Sequence, residues 1–420
     1  MAKIWWAVAV SAVMLTACGD AEEPKAPPAA TSTAAEAEAR ARYMGGSAAD
    51  RAMTQEEIAR SRRESRWREL ASFARRDETA PAAPAKPPEV NVAFHEGPFS
   101  ETLEGVTWSR IDQIPVSVPL RGDIEGPSVF RAQVLLDAVN FSPGVIDGHW
   151  GKNTEIAVWW FQDANGVPST GEIDERTYRL LASRSGNPSP LRTYVVTEDD
   201  VDGPFTTIPE DVYDKAELDC LCYESPAELL AERFHTTAGT LAVLNGGRDI
   251  ATVQAGDRLL VPNVGNRPLP TQDLGRLLVS VEGNYFHAYD GAGKLVVHAP
   301  TTVGSEYDPS PSETLKVTAI AFDPTFHYQP TLFHEVPDFE PEAMLQPGPN
   351  SPVGKVWIQL SRENYGVHGT SDPASIGYAS SHGCIRLTNW TALQVANATS
   401  KGTPVEFTDA RSSSGATPAR

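Results

Sequence analysis

Five short runs between residues 277 and 360 limit the folds open to the C-terminal third of this chain. Residues 277–281, 285–289, 295–299, 315–321 and 356–360 are rich in Val, Leu, Ile, Ala and aromatics, and none exceeds seven residues. Runs of that length and composition, bounded by turn residues, read as strands rather than helices. Gly291-Ala292-Gly293 falls where a hairpin would turn. A mostly-β unit, a β-sandwich or β-barrel, is therefore expected over residues 275–408. Residues 322–352 break the pattern with prolines and aromatics, and read as a long loop over the sheet.

Upstream the period changes. Val129, Ala132, Leu135, Leu136 and Val139 recur at helical spacing, and the glycines from Gly144 to Gly151 mark tight turns. A second helix follows Asn153 with Ile156, Ala157, Trp160 and Phe161, and Glu172-Ile173-Asp174 opens a third through Tyr178, Leu180 and Leu181. Residues 125–185 are thus expected to form a small three-helix domain. Its Trp150, Trp159 and Trp160 could stack on sugars or fill the core.

Residues 192–264 read as a small α+β module. Residues 194–197 supply a first strand, Ser225-Pro226-Ala227-Glu228 a capping box with Pro at the first helical position, Thr237 a second cap, and residues 259–262 an edge strand. Residues 198–224 interrupt it as an insertion carrying Cys220 and Cys222. That spacing is poor for an unstrained mutual disulfide and poor for a metal, so free thiols, a strained bridge and a bond to another chain all stay open. No metal or cofactor is expected.

With 420 residues the chain needs several cores. The formal net charge is −20, and residues 19–96 carry 12 basic and 14 acidic side chains, so nearly all the excess lies in the folded part. Such a surface repels nucleic acid. Residues 19–97 are rich in Ala, Pro, Glu and Arg and read as a disordered linker, with an r.m.s. reach of about 50 Å. Residues 54–73 within it could form a solvated helix, and residues 409–420 read as a disordered tail. At the start, Lys3 precedes an apolar run ending in Leu15-Thr16-Ala17-Cys18, too short to span a bilayer comfortably. Residues 1–18 resemble a lipoprotein signal, which implies lipidation of Cys18 and a membrane anchor on the periplasmic side of the cell envelope.

Chemistry concentrates in Ser381-His382-Gly383-Cys384-Ile385-Arg386 and, upstream, Tyr365-Gly366-Val367-His368-Gly369-Thr370. A cysteine attacks as thiolate, so it needs a neighbour to take its proton, and histidine is the usual one. His382 lies too close in sequence for its ring to reach the sulfur well, whereas His368 can approach from a neighbouring strand. Gly383 lets the backbone turn so that successive N–H groups can face a developing oxyanion. The second nitrogen of His368 needs an acceptor. No aspartate is obviously placed, so a carbonyl near Gly369 is expected.

These two stretches, with Thr302-Val303-Gly304-Ser305, Pro324-Thr325-Phe326-His327-Tyr328 and Ser351-Pro352-Val353-Gly354 ahead of them, resemble the L,D-transpeptidases with a YkuD-type catalytic domain. The resemblance implies Cys384 as nucleophile and His368 as proton donor and acceptor, with Gly369 orienting it. Ser381, His382, Gly383 and Arg386 would support the oxyanion region, where many members carry asparagine in place of Arg386. It also implies that residues 322–352 form a lid, with Tyr328, His327, His334 and Tyr365 as candidate substrate contacts. The expected reaction acylates the cysteine with a peptidoglycan tetrapeptide stem, releases D-alanine and forms a 3→3 cross-link in cell wall biogenesis. Hydrolysis of the same stems, or a non-catalytic lipid-anchored wall-binding role, are the alternatives. Residues 125–185 resemble a peptidoglycan-binding-like domain through Asp147, Gly148, Gly151 and Thr154, and residues 192–264 a diverged LysM-type module. Oligomeric state is not legible.

Overall fold

The structure is a computed structural model describing residues 92–95, 103, 105–264, 269–305, 309–333 and 336–408. Cys18, residues 54–73, His334 and the tail at 409–420 lie outside the described residues. Among those described, no helix is long and apolar enough to cross a membrane.

The first module holds helices α1 (Pro127–Ala138), α2 (Lys152–Ala164) and α3 (Glu175–Ser185). Asp174 caps α3 by accepting from the Thr177 N–H at 2.7 Å, and Gly186 ends it in the left-handed region. Two buried glutamines tie down the turns between helices. Gln133 Oε1 accepts from the N–H groups of Asp147 and Gly148, and Gln162 Oε1 from those of Thr170 and Gly171. Trp150, Trp159 and Trp160 are all buried in this core. The possibility that they form a sugar-stacking platform is thereby corrected: their apolar area is spent on packing. Strand β1 (Phe94–His95) pairs in parallel with β2 (Val116–Ser117), and Phe94 meets Tyr178 edge-on. The linker boundary at 97 is therefore too late, since Val92 and Phe94 bury apolar surface against the helices.

The second module pairs β3 (Leu191–Val195) antiparallel with β4 (Arg258–Pro262), so its first strand starts earlier than expected. Its insertion contains α4 (Val212–Ala216), and α5 (Pro226–Arg233) and α6 (Ala238–Leu244) follow. Ser225 and Thr237 cap α5 and α6 through the N–H groups of Glu228 and Thr240. The Glu228 carboxylate reaches back to the Glu224 N–H, one residue before the expected capping-box position.

The strands of the third module are β5 (Leu274–Ser280), β6 (Tyr285–Asp290), β7 (Leu295–Pro300), β8 (Leu315–Phe322), β11 (Val356–Leu360), β12 (Gly366–His368), β13 (Ile385–Arg386) and β14 (Pro404–Thr408). These eight form one mixed sheet in the order β13-β12-β11-β8-β14-β5-β6-β7. The chain leaving β7 crosses to the opposite edge, where Thr302 and Arg386 exchange backbone hydrogen bonds at 3.0 and 2.9 Å and Ser381 donates to Val303 at 2.8 Å. These bridges draw the two sheet edges together, which favours the barrel over the sandwich. Helix α7 (Asn389–Asn397) covers the core.

Residues 322–352 are not a plain loop. Strands β9 (Phe326–Tyr328) and β10 (Ala343–Leu345) pair antiparallel, with His327 opposite Met344. The second module's insertion grips this segment: Leu221 exchanges backbone hydrogen bonds with Pro347 and Asn350, and the Tyr213 hydroxyl donates to the Pro341 carbonyl. Cys220 and Cys222 are bonded to each other, one of the arrangements that their spacing left open; their Cα atoms lie 5.2 Å apart, within the range that a disulfide bridges.

Candidate active site

Alternation along the strands sorts the site from the core. Ile358, Val367 and Ile385 are buried with the hydrophobic cluster, so their neighbours Trp357, His368, Cys384 and Arg386 fall on the other face. Register brings these together: His368 pairs with Trp357 of β11 on one side and with Arg386 of β13 on the other, while Cys384 immediately precedes β13. The upstream histidine thus lies on the strand parallel to the one that Cys384, sixteen residues later in sequence, immediately precedes. Among the described residues Cys384 is the free cysteine.

The His368 ring is tightly held. Its Nδ1–H donates to the Gly369 carbonyl at 2.7 Å, so the free lone pair sits on Nε2. Trp357 stacks on it, with centroids 5.4 Å apart and planes inclined by 25°. Burial, with Arg386 nearby, lowers its pKa to about 3, against a smaller opposing effect of the Gly369 hydrogen bond. Burial likewise raises the Cys384 thiol, while a backbone hydrogen bond at Gly366 and the Arg386 charge oppose the rise. Burial thus favours the neutral form of both the thiol and the imidazole. The thiol also donates to the Asn364 carbonyl at 3.4 Å.

Ser381 stabilises the turn before the sulfur, its hydroxyl donating to the Cys384 carbonyl at 2.6 Å. Gly383 has φ +97°, and Ser310 donates to its carbonyl. A Cβ there would come within 3.1 Å of the Tyr365 ring, which therefore lies directly against this turn. His382 packs edge-on to Phe333, and Phe333 stacks on Tyr328. Tyr328 thereby joins the β9–β10 segment to the site. His327, on the opposite face of β9, is exposed and pairs with Glu342 at 2.8 Å, so the structure does not bring it to the cysteine. Arg386 is partly buried, its Nε has no hydrogen-bond partner, and its guanidinium makes no ion pair among the described residues.

Sequence reading missed three contributors: Trp357, read only as part of a strand; Asn389, whose Oδ1 accepts from the N–H groups of Thr370 and Lys355; and helix α7. The Thr388-Asn389 pair, a good helix start before Ala392 and Val395, was the available signal.

A half-buried thiol at the edge of a sheet, next to a strand carrying an imidazole whose tautomer is set by a carbonyl, is the kind of arrangement that acyl transfer through a thioester uses. A family sequence model described as the L,D-transpeptidase catalytic domain matches residues 275–407, and one described as "Putative peptidoglycan binding domain" matches residues 125–181. The "Putative L,D-transpeptidase YkuD" of Bacillus licheniformis is 30% identical over 181 residues, covering 43% of this chain and 92% of that protein. Its namesake in Bacillus subtilis is 47% identical over 60 residues, covering 14% and 37%. An L,D-transpeptidase structure from Mycobacterium smegmatis aligns at 18% identity and TM-score 0.27, over 36% of this chain and 63% of that one. The chain belongs to the L,D-transpeptidase family.

Proposed function

We propose that this protein cross-links peptidoglycan by L,D-transpeptidation at Cys384. As a stem tetrapeptide enters, Nε2 of His368 accepts the thiol proton while Sγ bonds to the carbonyl carbon of the third residue. The oxyanion is received by backbone N–H groups of the 382–384 turn. Collapse breaks the bond to D-alanine, whose nitrogen takes the proton from His368, and leaves a thioester. The side-chain amine of a second stem's third residue then attacks that carbonyl, its proton passing through His368 to the departing sulfur. The product is a 3→3 cross-link. Arg386, with no ion pair among the described residues, is the cation placed to receive a stem carboxylate beside the reacting carbon.

The observation carrying this reading is the Nδ1–H bond of His368 to Gly369, which leaves Nε2 as the lone-pair nitrogen on the strand next to Cys384. Residues 125–185 and 192–264 are assigned as wall-binding modules, and Cys18 as the lipidated anchor holding the enzyme on the periplasmic side of a membrane. Incubation of the purified protein with disaccharide tetrapeptides, read by mass spectrometry, tests the reaction. Dimers joined through third residues with release of D-alanine are expected. Loss of D-alanine without dimers would replace transfer by hydrolysis, and unchanged products from Cys384→Ala would remove the nucleophile assignment.

A further inference from the structure

We propose that Glu232, on α5 of the second module, is a positioning residue for His368, acting through the orientation of the Asn389 amide. The proposal rests on the His368 and Cys384 roles above.

Asn389 opens α7 and is fully buried. Its Oδ1 accepts from Lys355 N–H at 3.0 Å and Thr370 N–H at 3.1 Å; its Nδ2 donates to Glu232 Oε2 at 2.9 Å and to the Pro349 carbonyl at 3.3 Å. Turned end for end, the amide would oppose N–H to N–H and oxygen to oxygen at all four contacts. Its oxygen also occupies space that two glycines leave open, because a Cβ on either Gly354 or Gly369 would lie 2.0 Å from Oδ1. Gly369 is the residue whose carbonyl holds the His368 Nδ1–H. A shift of the Asn389 amide therefore moves the backbone that selects the imidazole's tautomer and aim.

The group holding that amide from outside the catalytic domain is a carboxylate, and the choice is physically costly. Glu232 is half-buried, makes no ion pair among the described residues, and has its pKa raised by the desolvation of its carboxylate against the opposing hydrogen bonds from Asn389 and Tyr223. Its two oxygens accept from two donors, the Tyr223 hydroxyl at 2.8 Å and the Asn389 amide. A glutamine could still accept from Asn389 by turning its N–H to the Tyr223 hydroxyl oxygen, whereas an apolar side chain would leave the Asn389 N–H without this acceptor. The second module thus supplies the acceptor oxygen that the Asn389 amide needs.

The test uses the full chain and two replacements of the same carboxylate: Glu232→Leu, which offers the Asn389 amide no acceptor, and Glu232→Gln, whose carbonyl oxygen still accepts from it. Alkylation of Cys384 by iodoacetamide is followed by mass spectrometry against pH, with His368→Ala as reference and thermal melting as the check on folding. Glu232→Leu should lose about 10- to 100-fold in alkylation rate at neutral pH, toward the His368→Ala profile, and Glu232→Gln should keep the wild-type profile. A folded Glu232→Leu variant that melts lower but keeps the wild-type profile would reduce Glu232 to a docking contact and overturn the inference. So would a Glu232→Gln variant that takes on the His368→Ala profile. Where Glu232→Leu fails to fold, Glu232→Ala is read against the same two profiles. A wild-type profile indifferent to His368→Ala would instead remove the base assignment itself, a separate and recognisable result.

Discussion

Trp357 lies nearly parallel to His368 across the β11–β12 pair, and Gly366 makes room for it, since a Cβ on Gly366 would meet the Trp357 ring at 2.6 Å. The indole is itself steered by its Nε1–H bond to Gln359 at 2.8 Å. The aromatic face and the Gly369 carbonyl together leave the imidazole little rotational freedom. Trp357→Leu should lower the acylation rate about tenfold by freeing the ring, with Trp357→Phe intermediate. Burst kinetics of thioester formation measure it; an unchanged burst rate in a folded Trp357→Leu enzyme would show that the stack is incidental.

The two histidines near the cysteine should separate by variant. On the proposed mechanism His368→Ala removes the proton acceptor and should cost roughly 10²- to 10⁴-fold in acylation. His382→Ala disturbs the turn that aims the backbone N–H groups and the contact with Phe333, and should cost roughly 10²- to 10³-fold. The pH profile of Cys384 alkylation distinguishes them, because only His368→Ala should alter it. The reverse pattern would exchange their roles.

Acid should destabilise the protein through buried neutral histidines. His298 has a pKa of about 3 and His287 is well below its ordinary value, both through burial; they share a 3.0 Å hydrogen bond where Trp160 and Phe141 of the first module pack against the sheet. Tyr289 bonds His287, and Arg276, paired with Glu406, lies over the Tyr289 ring. Between pH 6.5 and 3 the unfolded chain binds protons that the native pair refuses, so stability present above pH 6.5 falls as pH drops, by up to about 1.4 kcal/mol per pH unit per group. His298→Leu should flatten the fall in melting temperature between pH 7 and 4.5. A wild-type melting temperature that does not fall over that interval would contradict the buried neutral pair.

Gly348 sits at φ +152°, and a Cβ there would lie 2.0 Å from the Leu221 carbonyl oxygen. Gly348→Ala should therefore push the insertion away from the lid segment, removing the backbone bonds of Leu221 to Pro347 and Asn350. Hydrogen exchange at the Leu221 and Asn350 amides is the direct measurement, and it should accelerate at least tenfold, since each lost bond leaves an amide open to water. Protection equal to wild type would mean the contact re-forms around the methyl group.

What the sequence determined by itself is local. The five strand runs, the three helices of the first module and the caps at Asp174, Ser225 and Thr237 are set by side-chain periodicity and by hydroxyls or carboxylates next to free N–H groups, and all lie within a few residues of the signals that encode them. The expectation that His368 comes from a neighbouring strand was legible for a related reason, because a ring two residues from the sulfur reaches it poorly; the structure sets His368 on β12, beside the strand that Cys384 precedes. Tertiary structure decided whatever depends on partners distant in sequence. The closure of Thr302 onto Arg386, the burial of Trp150, Trp159 and Trp160, the grip of the 198–224 insertion on the β9–β10 segment, and the Glu232–Asn389–Thr370 connection join residues 19 to 157 positions apart. No periodicity reports such contacts, since each is chosen by shape and by donors and acceptors that face one another only after the modules have packed.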